Sequence, residues 1–224
     1  MGARDLEVMN HILLANDELN HFISSLLELT KLDNQGLRVH LQAKDINQLL
    51  ETIVLKHRFA AQGKQIQVIT HFEPLFPIKI DADLISKVLS NLIDNAIKYS
   101  PENTRILFET REVDSFVEIS IRDQGIGIPE NELQNLFSRF YRVKNETTLK
   151  VKGTGLGLYL SKYFIEAHHG TIRVLSVPET GTEFVIRLPL NQKGANASDS
   201  RAQPGLKTIF SKLKNNLKKE KDHA

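Results

Sequence analysis

Between residues 45 and 189 the hydrophobic period switches repeatedly between about two and about 3.6 residues, and the order of the switches limits the folds open to the chain. Residues 37–41 (LRVHL) alternate as a strand. Asp45 then stands as N-cap of a helix to about Ala61, with Ile46, Leu49, Leu50, Ile53 and Phe59 expected on its buried side. QIQVITHF, from Gln65, alternates again, and residues 78–80 make a second short strand. Asp81 caps the next helix, which Pro101 follows. Residues 105–112 and 116–122 form a hairpin-like pair about Val113-Asp114-Ser115. A short helix is expected near 130–137. A longer one runs from about Leu156 to His169 and stops at Gly170, where cationic histidines would suit the helix dipole. Strands at 171–177 and 182–188 complete the series. Strands in groups with helices between the groups indicate a two-layer α/β sandwich, not a doubly wound parallel sheet.

Outside this block, residues 3–33 contain neither Gly nor Pro and repeat apolar side chains in heptad fashion. Met9, Asn16, Ile23 and Thr30 share one seam position, Ile12, Leu19 and Leu26 the other, and Leu6, Leu13 and Leu27 widen the stripe. The pattern predicts a long helix that packs in a bundle or coiled coil and ends at Gly36. Asn16 either fixes a register or faces water at a helix crossing. The absence of Cys excludes disulfides and thiolate metal sites and points to a reducing compartment. No stretch approaches the roughly 20 apolar residues of a membrane span, nor does the N-terminus have signal-peptide design, so a soluble fragment is expected.

Charge is unevenly placed. Six lysines against Glu220 and Asp222 make residues 206–224 +4, and the chain's net +2 leaves the remainder at −2, which gives no footprint for nucleic acid. Residues 191–205 are polar and rich in Ala, Asn, Ser and Gly, a flexible linker by composition. Beyond it, Leu206, Ile209, Phe210, Leu213 and Leu217 recur at helical spacing among lysines. This is either a basic amphipathic tail for an anionic membrane surface or a partner, or a solvated, frayed end.

Four features carry chemistry. The helix after Asp81 contains NLIDNAIKYS, in which Asn91, Asn95 and Lys98 fall within roughly 60° of one another, with Tyr99 at the edge of that arc. Such a stripe beside a core needs partners, whether water or a ligand. DQGIGIP follows a strand in which Val117, Ile119 and Ile121 face inward, so Asp123 places a carboxylate inward at the strand's end. An inward acceptor suits an exocyclic amine, which adenine offers at that edge and guanine does not. Gly153-Thr154-Gly155-Leu156-Gly157-Leu158 opens a helix whose free N–H groups and dipole favour an anion. Gly181-Thr182 precedes the last strand. Residues 143–154 are polar and expected to be mobile.

With these motifs in this order, residues 45–189 resemble the catalytic ATP-binding domain of two-component sensor histidine kinases, of the Bergerat-fold superfamily. NLIDNAIKYS is similar to that family's N box, DQGIGIP to its first glycine box, LFSRFYRV to its F box, GTGLGLYLSKYFIEAHHG to its second glycine box and GTEFVIRLP to its closing glycine box. The resemblance implies a protein-histidine kinase that binds ATP and Mg2+. It implies Asn95 as metal ligand with Asn91 beside it, Lys98 and Arg142 on the phosphates, and Tyr99 against the nucleoside. Asp123 would take the adenine amine, with Thr182 assisting and Gly125, Gly127 and Ile128 lining the site. Gly153, Gly155 and Gly157 would let residues 143–154 close as a lid over the triphosphate, and Thr154, Leu156 and Leu158 would bind the nucleotide beside them. Phe137 and Phe140 would pack the lid's base or simply the core. Hydrolytic relatives place a Glu where Asn91 stands, and an amide cannot activate water as that base does.

The resemblance also implies a cytoplasmic location, a homodimer in the full-length kinase and a response-regulator receiver domain as partner. The family's acceptor histidine, followed by an acidic residue and Arg-Thr-Pro, has no counterpart: His11 precedes Ile-Leu-Leu and His21 precedes Phe-Ile-Ser. Residues 1–36 resemble the second dimerisation helix instead. The expected organisation is therefore 1–36 as that helix, 37–190 as the catalytic domain, 191–205 as linker and 206–224 as tail. A non-catalytic nucleotide-sensing module of the same fold is the alternative.

Overall fold

A computed structural model describes residues 3–143, 151 and 153–190, without several side chains of the first helix. Helix α1 (Ala3–Gln35) belongs to one compact unit and residues Val39–Gly194 to another. Gly36, at φ +69°, ends α1 by donating to Leu32 O. Met9, Ile12, Leu13, Leu19, Ile23 and Leu27 of the expected seam are exposed. Among the described residues no helix is long and apolar enough to cross a membrane. The linker and tail expected at 191–224, and most of the segment expected to be mobile at 143–154, lie outside the described residues.

The second unit is the two-layer α/β sandwich. Its elements are β1 (Gln42–Lys44), α2 (Ile46–Gly63), β2 (Gln67–Phe72), β3 (Ile78–Ile80), α3 (Ala82–Tyr99), β4 (Arg105–Val113), β5 (Phe116–Asp123), α4 (Glu130–Leu133), α5 (Gly157–Ala167), β6 (Thr171–Val177) and β7 (Gly181–Pro189). The five-stranded sheet runs β2-β4-β5-β7-β6, parallel between β2 and β4 and antiparallel elsewhere, and β1 pairs β3 separately. Helices α2, α3 and α5 cover one face with α3 in the middle. Its buried stripe (Leu84, Ile85, Val88, Leu89, Leu92, Ile93, Ala96, Ile97) meets Ile106, Phe108, Val117, Ile119, Ile121, Phe184 and Ile186 in the core between the layers. Each such Leu or Ile contributes roughly 1.5–3 kcal/mol.

On the other sheet face charges pair along the register. Arg111, Glu118 and Arg187 sit side by side on β4, β5 and β7. The Glu118 carboxylate accepts from Arg111 Nε at 2.8 Å and Arg187 Nε at 2.7 Å. Burial pushes that carboxyl up, but the two guanidinium groups hold it below its ordinary value. Glu183 is bonded likewise by Ser120 and Arg122.

Four expectations are corrected. Residues 37–41 form no strand: β3 offers three residues after Pro77, so only 42–44 can pair, and the His40 N–H goes to Asp81 Oδ2 at 2.9 Å instead. Phe59 is 86% exposed, because nine residues of helix carry it half a turn round from buried Leu50. Helix α4 stops at Leu133, after which the amides of Asn135, Leu136 and Ser138 close tighter turns onto carbonyls three residues back. His168 is no cation for the dipole but a buried, neutral ring. Its Nδ1–H donates to Phe164 O at 2.7 Å and its Nε2 accepts the Asp81 N–H at 3.0 Å.

That ring ties the end of α5 to the start of α3 only while uncharged, since protonated Nε2 cannot accept. Burial lowers its pKa from 6.5, against the Phe164 carbonyl and Asp81, which raise it, and His169, which lowers it further. The tie is therefore whole above pH 6.5 and lost as pH falls through the lower folded-state value. We expect His168→Leu to cost about 2–4 kcal/mol in urea unfolding at pH 7.5. The gap between wild type and variant should shrink below pH 6; a gap independent of pH would refute the neutral-ring assignment.

Candidate functional site

Helix α3 enters the site through Asp81, whose Oδ1 accepts the Leu84 N–H at 3.2 Å, and turns its polar edge toward α5. An unpaired buried amide costs about 1–3 kcal/mol. Asn91, half-buried, avoids this by donating from Nδ2 to Ser161 Oγ of α5 at 3.0 Å. Its Oδ1 lies where a side chain on Gly157 would begin: a Cβ there would be 2.2 Å away. The N box and second glycine box therefore meet through the absence of a side chain at 157. Asn95 is half-buried one turn further along. Lys98 is exposed and pairs with Asp94 Oδ2 at 2.6 Å. An exposed i,i+4 pair is worth about 0.3–0.5 kcal/mol, so an incoming anion can take the ammonium over.

At the other end, Asp123 is buried at the last position of β5. Its Oδ1 accepts two backbone N–H groups, from Gly125 at 2.8 Å and Thr182 at 3.1 Å. Among the described residues both bonds go to the same oxygen, which leaves Oδ2 as the acceptor for a ligand. Burial raises the carboxyl from 3.8 to about 6 in spite of the two N–H groups, which lower it. Gly125 has no room for a side chain: a Cβ would lie 2.8 Å from both Asp123 Oδ1 and the Tyr99 carbonyl oxygen. Gly127 is buried, its Cα side closed off by the Val177 carbonyl. Ile128 donates its N–H to Ser176 Oγ at 2.9 Å. That hydroxyl donates to Gly181 O at 2.9 Å, so the Thr182 hydroxyl, 2.8 Å away, is the donor to it. Tyr99, half-buried, accepts the Ile126 N–H on its carbonyl at 3.3 Å.

The second glycine box is only partly a matter of sterics. Among the described residues nothing lies within 4 Å of where a Gly153 Cβ would be, whereas Gly155 abuts the Phe140 backbone. Thr154 Oγ1 accepts the Leu156 N–H at 3.2 Å. Leu156 is buried, Leu158 half-buried, and among the described residues no side chain caps the N-terminus of α5, whose first N–H groups suit an anion. Arg142 braces this segment, donating to Gly153 O at 3.0 Å and to Val151 O. In the F box, Arg139 stacks 4.6 Å from the Tyr159 ring centroid and donates to its hydroxyl. Phe137 is half-buried and Phe140 39% exposed.

Sequence reasoning missed Ser161, Ser176 and Asp94. Ser161 had a signal, a hydroxyl within the buried stripe of Leu160, Phe164 and Ile165. Ser176 becomes visible only through its register opposite Thr182. Taken together, the site offers a buried acceptor at one end, and amides, an ammonium and an uncapped helix N-terminus at the other.

The family described as histidine kinase-, DNA gyrase B- and HSP90-like ATPases matches residues 80–192. The chain is 37% identical over 175 residues to sensor protein kinase WalK of Staphylococcus haemolyticus, covering 77% of this chain and 29% of that protein. It is 33% identical over 183 residues to the sensor-like histidine kinase SenX3 of Mycolicibacterium smegmatis, covering 82% and 48% respectively. It thus spans between about three tenths and half of these curated relatives. The solved histidine kinase AdeS of Acinetobacter baumannii superposes with a TM-score of 0.68 at 25% identity, covering 82% of this chain and 84% of that one.

Because Asp123 holds its proton more tightly folded than unfolded, stability falls as pH rises from 3.8 through about 6. In Asp123→Asn, Oδ1 can still accept both N–H groups and no buried charge forms. The ligand-free variant should be the more stable at pH 7.5, by up to about 3 kcal/mol, with the advantage vanishing near pH 4. A less stable variant at pH 7.5 would show that the ionised carboxylate is a net support.

Proposed function

Because this chain belongs to the histidine kinase-, DNA gyrase B- and HSP90-like ATPases, with the ATP-binding domain of a sensor histidine kinase, we propose that it is the catalytic part of a two-component kinase. It transfers the γ-phosphate of ATP to a histidine on a segment outside this sequence, for relay to a response-regulator aspartate. The observation that carries this reading is Asp123: a buried carboxylate with one oxygen engaged by Gly125 and Thr182 and the other left to accept the adenine amine. Guanine presents a carbonyl at that edge and is refused.

The triphosphate extends toward α5 and the edge of α3. Lys98 exchanges Asp94 for a phosphate oxygen, and the N–H groups at the start of α5 take negative charge. Arg142 serves the γ-phosphate from the segment it already braces. Among the described residues no group of three His, Asp or Glu could hold a metal, so an ion here would rest on the neutral amide oxygens of Asn95 and Asn91 and on phosphates, a donor set that fits Mg2+. When bound, it supplies neutralisation of the charge on the transferring phosphoryl group. Asn91 cannot act as a base toward water, so hydrolysis is slow and the N–P bond to the incoming histidine forms as the P–O bond to ADP breaks.

The exposed apolar seam of α1 supports homodimerisation in a longer kinase, with the catalytic unit on the cytoplasmic side. The basic residues of 206–224 support contact with an anionic membrane surface. Co-sedimentation with anionic vesicles should then fall when that segment is deleted; no change would remove the membrane contact.

A calorimetric titration tests the central reading. ATP should bind, more tightly with Mg2+ than without, and Asp123→Asn should abolish binding. With γ-labelled ATP the chain should not label itself but should label a separately supplied acceptor-helix domain. Binding without any transfer would leave a non-catalytic nucleotide sensor, and rapid steady turnover of ATP would overturn the kinase reading.

A further inference from the structure

Lys64 lies in the turn between α2 and β2, outside every motif of the sequence, yet its ammonium is fully used. Nζ donates to three backbone carbonyls at the end of α3: Ile97 O at 2.9 Å, Lys98 O at 2.9 Å and Ser100 O at 3.0 Å. A helix C-terminus carries unpaired carbonyls and partial negative charge, and three donors on one cation answer both. The main chain of Lys64 braces the same stretch, its carbonyl accepting the Asn103 N–H at 3.1 Å. The stretch so held carries Lys98 and Tyr99, and the Tyr99 carbonyl in turn seats the first glycine loop. It accepts from Ile126 N–H at 3.3 Å and stands 2.8 Å from where a Gly125 Cβ would be.

We propose that Lys64 is a positioning residue for nucleotide binding: by gripping the last carbonyls of α3 it fixes the wall formed by Lys98, Tyr99 and the Gly125–Ile126 loop. The chain of contact runs from Lys64 to the α3 C-terminus, to Tyr99 O, and to the loop whose Gly125 N–H orients Asp123. No part of it touches the ligand through Lys64 itself. This inference rests on the ATP-binding reading for its consequence, but not for its geometry.

The test compares Lys64→Met and Lys64→Arg with wild type, well below the melting temperature of each. Lys64→Met should weaken ATP about tenfold, equivalent to about 1.4 kcal/mol, and adenosine by a similar factor, because the loop beside Asp123 moves. Lys64→Arg, which keeps the charge and several donors, should recover most of the affinity. In nucleotide-free protein, exchange of the Ile126 amide proton should quicken in Lys64→Met and not in Lys64→Arg. A lower melting temperature with unchanged ATP affinity and unchanged Ile126 exchange would make Lys64 merely structural and overturn the proposal. If wild type fails to bind ATP, the ATP reading falls, while the Ile126 exchange still decides the positioning role. Should Lys64→Met fail to fold, Lys64→Gln carries the same expectations.

Discussion

Helix α3, whose edge carries Asn91, Asn95 and Lys98, is anchored by polar bonds at both of its ends. At the N-terminus Asp81 spends all its polar groups: Oδ1 on Leu84, Oδ2 on His40, its N–H on the ring of His168 and its carbonyl on Ile85. At the C-terminus Lys64 takes three carbonyls. Between these anchors the buried stripe supplies most of the free energy, but a stripe alone would allow the helix to rotate or slide. The polar anchors remove that freedom, and Asn91, Asn95 and Lys98 inherit a fixed position from them.

The opposite end of the site is organised around a cost. Burying Asp123 raises its pKa, so the ligand-free chain carries at neutral pH a carboxylate that its surroundings disfavour. The two N–H groups on Oδ1 limit the penalty and also set the direction of Oδ2. Stability is thus given up at the position proposed to meet the adenine amine, a trade common at binding sites. The outer sheet face shows the contrary case, where buried Glu118 is fully matched by Arg111 and Arg187 and its pKa moves down.

Much of this was legible in the sequence because the signals were local. Asp45 and Asp81 mark helix starts through a side chain that bonds the first turn, and both do so. Alternation located β4, β5, β6 and β7, and the inward carboxylate of Asp123 followed from it. What escaped depends on partners far along the chain. Neither the neutrality of His168 nor the grip of Lys64 can be read without knowing that Asp81 and the end of α3 lie beside them. Phe59 misled because apolar character was allowed to outweigh its angle around the helix.

The contact between Asn91 and Gly157 binds two distant motifs into one steric unit. The amide fills the volume that a side chain at 157 would need, so each position sets the size permitted at the other. Among descendants of a common ancestor, such positions are expected to drift as a pair. An engineer who enlarges the residue at 91 must move α5 as well, and with it that helix's N-terminus.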